Sequence, residues 1–421
     1  MTAQPAELQR RIGLWHGVAL YVSAVLGAGV LVLPGQVAST AGPASLVAWG
    51  FSCLLGLVLA LTFAALASAM PGAGGVATFT TAAFGPSAGG VVGWWYLLAG
   101  SLGQTIVPLT GGYYVGAALG LGSGASVVVA VGILSTAVAA NVAGVKVSSR
   151  AQVVLAAGVA LVLVTAVVSA VPAMDLARLQ PLAPGGVSAV GQSVVVLFFA
   201  FAGWEAVAHL SGEFTDPDRG LRRATLITVV VVSVLYLAIA AAVVLTGTYG
   251  SAQTDRLSVG LLLSRGGGQG ALIATAVAAL VISLGTTNAF VASISRLAFS
   301  LGREGWLPAP LGRLSDRGVP ARGVVLVGAI GAAGLLAVWL LGWGTEDIVV
   351  IPATLVIVTY LVGTAAGVRL LRGRDRAAAG LALTLTLSTV PFAAAHVLIP
   401  VVVACVALTY RHLTARTAAL Q

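Results

Sequence analysis

Apolar runs long enough to cross a membrane as helices follow one another through this chain, with hardly a charge inside them. A helix rises 1.5 Å per residue, so about 20 apolar residues cross the roughly 30 Å of hydrocarbon in a bilayer. Twelve such runs begin near residues 13, 44, 88, 124, 151, 187, 224, 270, 323, 347, 377 and 394. The last two are short and meet around Pro391, so eleven runs plus a re-entrant piece also satisfy the pattern. Only 8% of residues are charged and 59% are hydrophobic, where an ordinary soluble domain carries about a quarter charged residues, so a water-soluble fold is excluded. The runs lack the period-two alternation of barrel strands, which leaves an all-α, polytopic membrane bundle of about 12 transmembrane helices.

Charge follows topology. With the N-terminus inside, only Arg178, Arg256 and Arg265 of the 21 Lys and Arg fall in outer loops, and the rest lie in cytoplasmic segments, as the positive-inside rule requires. The net charge of +9 therefore points to a plasma-membrane protein with both termini cytoplasmic, and a nucleic-acid partner drops out. The opening MTAQPAELQRR is polar and the run at 13–39 is far longer than a signal-peptide core, so it is expected to stay as the first span. Cys53 and Cys405 fall inside spans and the four histidines are scattered, so no disulfide framework, metal site or cofactor is expected. The longest polar connections are 211–223 and 296–322 inside and 249–269 outside, which places the activity within the bilayer.

Two runs carry a glycine-centred break about halfway across: SAVLGAGVLVLPG at 23–35 and FFAFAGWEAVAH at 198–209. Five spans separate them, so the second enters the membrane with opposite orientation, the signature of an inverted repeat with a mid-membrane site. The expected organisation is a cytoplasmic N-terminus 1–12, a first repeat 13–173, a second repeat 187–370, two further helices over 377–410, and a cytoplasmic tail 411–421. A break frees N–H groups on one half-helix and C=O groups on the other, and such groups persist in a membrane only where protein, water or a ligand satisfies them. The half starting near Val30 turns its positive dipole end to the break, which suits a carboxylate. The half ending near Phe201 offers carbonyls, which suit an ammonium. Together these describe an amino acid, held by Ser23, Gly27, Ala28 and Gly29 on one side and by Phe199, Ala200, Phe201, Ala202 and Trp204 on the other. Close helix packing is the competing reason for Gly27 and Gly29, and with 54 glycines in the chain it stays open.

Glu205 is the sole formally charged side chain inside a span, at a cost of about 2.5–3.5 kcal/mol near mid-bilayer. The dipole of a second half-helix, His209 four residues on, or neutralisation by desolvation would each offset that cost. Glu205 with His209 is thus expected to be a gating or proton-responsive group, the alternative being a carboxyl that bonds freed backbone N–H groups. Phe199 and Trp204 flank the break as either a movable lid or core packing. Gln104 and Tyr113 on the third span and Asn288 on the eighth are polar groups in reach of a pocket, or else interhelical hydrogen bonds. Intramembrane Asp, His and Ser clusters that would mark an enzyme are missing.

Four motifs in order resemble the amino acid–polyamine–organocation transporter superfamily over most of the chain. They are GAGVLVLP at 27–34, NVAGVKVSSRAQ at 141–152, FFAFAGWEAVAH with GEFTDPDRGLRRA at 212–224, and SISRLAFSLGREGWLP at 293–308. Within it, LGAGVLVLP and MPGAGGVATFTTAAFG at 70–85 are most similar to bacterial exporters of methionine and branched-chain amino acids. The resemblance implies a LeuT-like five-plus-five inverted repeat with two extra helices, discontinuous helices 1 and 6, substrate between spans 1, 3, 6, 8 and 10, and alternating access. Arg222 stands where many members have proline, and Val159 stands where several proton-linked relatives carry lysine. Sodium-linked relatives use hydroxyls on span 8, for which Ser283, Thr286 and Thr287 are the candidates, although such hydroxyls often bond back to their own helix. The expected function is secondary active transport of neutral apolar amino acids (Met, Leu, Ile, Val), with the bilayer and, in a proton-linked cycle, a coupling proton as further partners. A cationic amino acid or polyamine exchanger is the rival that Glu205 suggests, and a channel or non-transporting scaffold is the rival of another class.

Overall fold

The computed structural model describes residues 13–70, 75–145, 149–204 and 219–419, and all regular structure among them is helical. Each of the twelve apolar runs holds helix. The first carries α1 (Leu14–Val25) and α2 (Leu33–Ala41), followed by α3 (Ser45–Ala69), a short α4 (Gly75–Phe84), α5 (Pro86–Ala118), α6 (Ser123–Val142) and α7 (Ser149–Ala170). The second half begins with α8 (Gly186–Leu197) and α9 (Arg219–Thr246), then α10 (Ala252–Arg256), α11 (Ser258–Arg303), α12 (Ala321–Leu341), α13 (Thr345–Ile348) and α14 (Val350–Leu370). The chain closes with α15 (Gly373–Thr389) and α16 (Leu398–Ala419). Among the described residues, eight helical stretches are long and apolar enough to cross a membrane, and α4 and α8 are shorter apolar helices.

The first glycine-rich segment interrupts its helix, and at the second the described helix gives way to turns. Leu26 leaves helical geometry at ψ 71° and Gly27 is extended, a 3-10 turn covers Ala28–Leu31, and α2 starts at Leu33 with Pro34 in its first turn. Proline is at home there because its missing N–H would have no intrahelical partner in a first turn. The α-helix after the break thus begins three residues later than the sequence suggests. In the other segment α8 ends at Leu197, four residues early, and 198–204 runs in turns in which Gly203 takes φ 123°, a conformation that glycine adopts at no steric cost.

Glycines let the long helices approach. A methyl on Gly93 of α5 would meet Leu301 of α11 at 2.7 Å, and one on Gly331 of α12 would meet Gln104 of α5 at 2.9 Å. Without a hydrophobic drive between helices in lipid, such close contact supplies the packing energy.

The outer connection 249–269 differs from its expected form as a polar loop. It folds into α10 and the first turns of α11, up to a kink at Gly268 (φ 56°, ψ −146°), and buries Val259 and Leu262 completely. A capping box between Ser251 and Thr254 starts α10. The inner connection is shortened likewise, since α11 runs on to Arg303. Beyond it the REGWLP segment is clamped: Trp94 Nε1 donates to the Trp306 carbonyl at 2.9 Å, and the Arg411 guanidinium lies 5.4 Å from the Trp306 ring.

Candidate substrate site

The two interruptions meet at a cavity of about 50 Å³, where roughly 10–15 Å³ on the same measure holds one water. The first break contributes Val25, Gly27, Ala28, Gly29 and Val30, and the second contributes Phe199, Ala200 and Ala202. Helix α5 adds Tyr96, Gly103, Gln104 and Val107, α9 adds Tyr236, α11 adds Thr286 and Phe290, and α14 adds Pro352 and Val356. No charged side chain lines it among the described residues.

Backbone groups freed by the breaks are satisfied by tyrosines from other helices. Tyr236 Oη lies 3.0 Å from Val25 O and 3.2 Å from Ala200 O. Tyr114 donates to Leu31 O at 2.8 Å, Tyr21 donates to Trp204 O at 2.9 Å, and Gly203 N donates to Tyr360 Oη at 3.3 Å. All four rings are almost wholly buried. An unpaired carbonyl in a dry interior is costly, and these hydroxyls remove that cost while fixing the broken segments to the bundle. The sequence reading passed over all four. Their signal was a tyrosine placed within an otherwise apolar span, where a hydroxyl needs a partner.

Gln104 is 1% exposed; its Nε2 donates to Gly100 O at 2.9 Å, while its Oε1 is buried without a partner among the described residues. Thr286 reaches the cavity from α11, 3.5 Å from the position of a Cβ on Gly27. Ser283 and Thr287 lie one turn apart on the same helix, fully buried and outside the cavity lining, and their hydroxyls have no hydrogen-bond partner among the described residues. Among the described residues no cluster of His, Cys, Asp or Glu has the makings of a metal site.

Other expected site residues lie elsewhere. Phe201 and Trp204 pack behind the cavity wall, Phe201 against Trp49 and Tyr236, and Trp204 edge-on to Tyr21 at 5.5 Å. Asn288 is bound to Asn141 of α6, whose Nδ2 donates to its Oδ1 at 2.8 Å. Ser23 falls within α1, its side chain outside the described set, and Glu205, His209 and the 212–218 part of the loop motif lie outside the described residues. Val159 is buried in α7.

Tyr113 sits beyond the cavity, at the end of the bundle where α2 terminates. There Arg256 of α10 forms an ion pair with Glu346 of α13 and lies 4.9 Å from the Tyr113 ring centre. Burial works against the Arg256 charge, but the hydrogen bond that it donates to Glu346 and the fields of Tyr113, Glu346 and Asp347 outweigh it and hold the guanidinium above its usual pKa. Gln36 of α2 donates to Thr345 Oγ1 at 2.6 Å and to Glu346 Oε2 at 3.3 Å, and Thr345 N donates to Tyr113 Oη at 3.3 Å. At the same end Arg178 and Arg265 both donate to Thr246 O at the C-terminus of α9, where the helix dipole favours cations. All three arginines assigned to outer loops therefore find acceptors at helix ends: Arg256 at Glu346, and Arg178 and Arg265 at Thr246 O.

A bundle of helices long and apolar enough to cross a membrane, with a cavity where the two glycine-rich segments meet, defines an integral membrane protein. The chain belongs to the amino acid permease family, whose model matches residues 12–417. It is 32% identical to the uncharacterized amino acid permease YecA of Bacillus subtilis over 88% of this chain and 87% of that one. The L-methionine/branched-chain amino acid exporter YjeH of Escherichia coli is 29% identical over 93% of this chain and 94% of its own. The branched-chain amino acid permease BcaP of Bacillus subtilis is 26% identical over 75% and 72%. These relatives are permeases and exporters, not enzymes.

Proposed function

We propose that this permease is a secondary active transporter of neutral apolar amino acids, working by alternating access across the plasma membrane with both termini cytoplasmic. In this reading the twelve helical runs are twelve crossings arranged as a five-plus-five inverted repeat with two extra helices. The observation that carries it is the lining of the cavity at the two breaks. Val25, Val30, Val107, Phe290 and Val356 offer an apolar side chain a dry wall, and among the described residues no charge lines it to pair with a cationic one. The α-carboxylate is placed on the N–H groups of Ala28 and Gly29 at the start of the 3-10 turn, since Gly27 N already donates to Val25 O at 2.8 Å. The ammonium faces the 199–202 turn and Gln104 Oε1, because Tyr236 already engages the carbonyls of Val25 and Ala200. The names of the methionine/branched-chain exporter and the branched-chain permease support the same substrate class.

Glu205 and His209 are assigned the gating or proton-responsive role, which the pH profile of Glu205→Gln reads directly: an unchanged rate and profile removes them from it. The function itself is tested in proteoliposomes by flux of labelled methionine and leucine under imposed proton and sodium gradients, with unlabelled arginine as competitor. Saturable, stereospecific flux with trans-stimulation, inhibited by leucine and not by arginine, is the expected result. Inhibition by arginine instead selects the cationic exchanger, and non-saturable flux selects a channel.

A further inference from the structure

Glycine persists in a helix wall for one of three reasons: a positive φ, a neighbour too close for a Cβ, or space that something else must fill. Gly103 lies inside α5 and is not among the glycines with positive φ. A methyl on it would meet only the Phe199 ring, 3.5 Å from Cε2 and 3.8 Å from Cζ, which is ordinary contact. Other glycines of α5 answer to the second reason. A methyl on Gly93 would come within 2.7 Å of Leu301, and one on Gly111 within 2.8 Å of Ile133 and 2.9 Å of Ser283. Gly103 has neither constraint, and glycine is the less favourable choice there, since alanine stabilises a helix interior. It does face the cavity.

Phe199 links this position to the first break. The opposite edge of its ring lies 3.4–3.5 Å from the place of a Cβ on Gly29, so the ring spans the cavity from the break to α5 and rests on two glycines. We propose that Gly103 is the residue that sets the size of the substrate side chain: its missing methyl leaves room beside Phe199 for a branched or thioether chain. This rests on the function proposed above and adds the compartment that discriminates among apolar amino acids. Added bulk at Gly103 takes that room from the substrate, or pushes the ring toward Gly29.

The test is the substrate ranking of Gly103→Ala and Gly103→Val in proteoliposomes, with alanine, valine, leucine and methionine as substrates. A pocket that loses the space of one carbon, as in the alanine variant, or of three, as in the valine variant, discriminates by roughly tenfold or more. The expected result is a rise of KM of that order for leucine and methionine relative to alanine, larger in the valine variant, with little change for alanine itself. Gly93→Ala serves as the packing control: lower thermal stability in detergent with the ranking unchanged. If the Gly103 variants scale all four substrates equally, or keep the parent ranking, the proposal is overturned while the transport reading stands. If the parent protein moves none of the four, both fall.

Discussion

The hydroxyl of Tyr236 on α9 lies 3.0 Å from the carbonyl oxygen of Val25 and 3.2 Å from that of Ala200, so one side chain joins the backbone at both helix breaks. Tyr236→Phe keeps the ring, which packs against Trp49 and Phe201, and removes only the donor. Leaving a buried acceptor unsatisfied costs about 1–3 kcal/mol. The expected outcome is a lower unfolding temperature in detergent together with reduced flux, because the two segments lose their common anchor. Equal stability and equal flux would show that water replaces the hydroxyl fully.

Arg256 and Glu346 close the end of the bundle where α2 terminates, with Gln36, Tyr113 and Thr345 around them. Their side chains are 23% and 36% exposed, so the pair is screened and its net worth is modest, on the order of 1 kcal/mol. That is still enough to change the ratio of closed to open states about fivefold in a two-state equilibrium. Arg256→Glu and Glu346→Arg singly are expected to favour opening at this end, seen as faster labelling of a cysteine placed at Val107. The double exchange restores the pair and the parent labelling rate. High salt should shift the parent in the same direction as the single variants and, by screening their new like-charge repulsion, slow the labelling of the variants.

Gly35 in α2 tests the same closure by shape. A methyl there would lie 2.5 Å from the Asp255 carbonyl oxygen and 2.7 Å from its Cα, and backbone cannot swing aside as a side-chain tip can. Gly35→Ala is therefore expected to hold α10 off α2. Substrate exchange that needs this end closed should fall at least tenfold, while binding measured by a thermal shift with leucine is retained. Normal exchange would mean that α10 need not seat on α2 during the cycle.

The positions of the breaks were legible because glycine followed by proline, and glycine beside tryptophan, are visible in the chain itself. Gly27, Ala28, Gly29, Phe199, Ala200 and Ala202 line the cavity for the same reason: a residue at a break is placed by backbone geometry that the sequence encodes locally. Long-range contacts were not legible in that way. Tyr21, Tyr114, Tyr236 and Tyr360 serve the breaks from helices far away in sequence, and nothing local to a tyrosine tells which carbonyl it will meet. Asn288 shows the converse, a polar side chain in a plausible span whose partner proves to be Asn141 of α6. The folding of 249–269 into helices escaped notice because its arginines and glycines mask a pattern only ten residues long, too short for hydrophobic periodicity to declare itself.

Gln104 is the most polar described group facing the cavity from α5, and its Oε1 has no donor among the described residues. A hydrogen bond to a charged group contributes about 1.5–3 kcal/mol, so an ammonium held there loses roughly ten- to a hundredfold in affinity when the acceptor is removed. Gln104→Leu should therefore raise KM for leucine by that order, with the preference among apolar side chains kept, because the compartment beside Gly103 is untouched. Gln104→Glu supplies a carboxylate in a cavity that no charged side chain lines among the described residues, and opposite charge in a dry site is attracted strongly. Arginine or lysine, which the proposed function excludes from the parent, should then compete with leucine for uptake. If Gln104→Leu transports leucine with the parent KM, the ammonium does not sit against α5, and the turn at 199–202 must hold it alone.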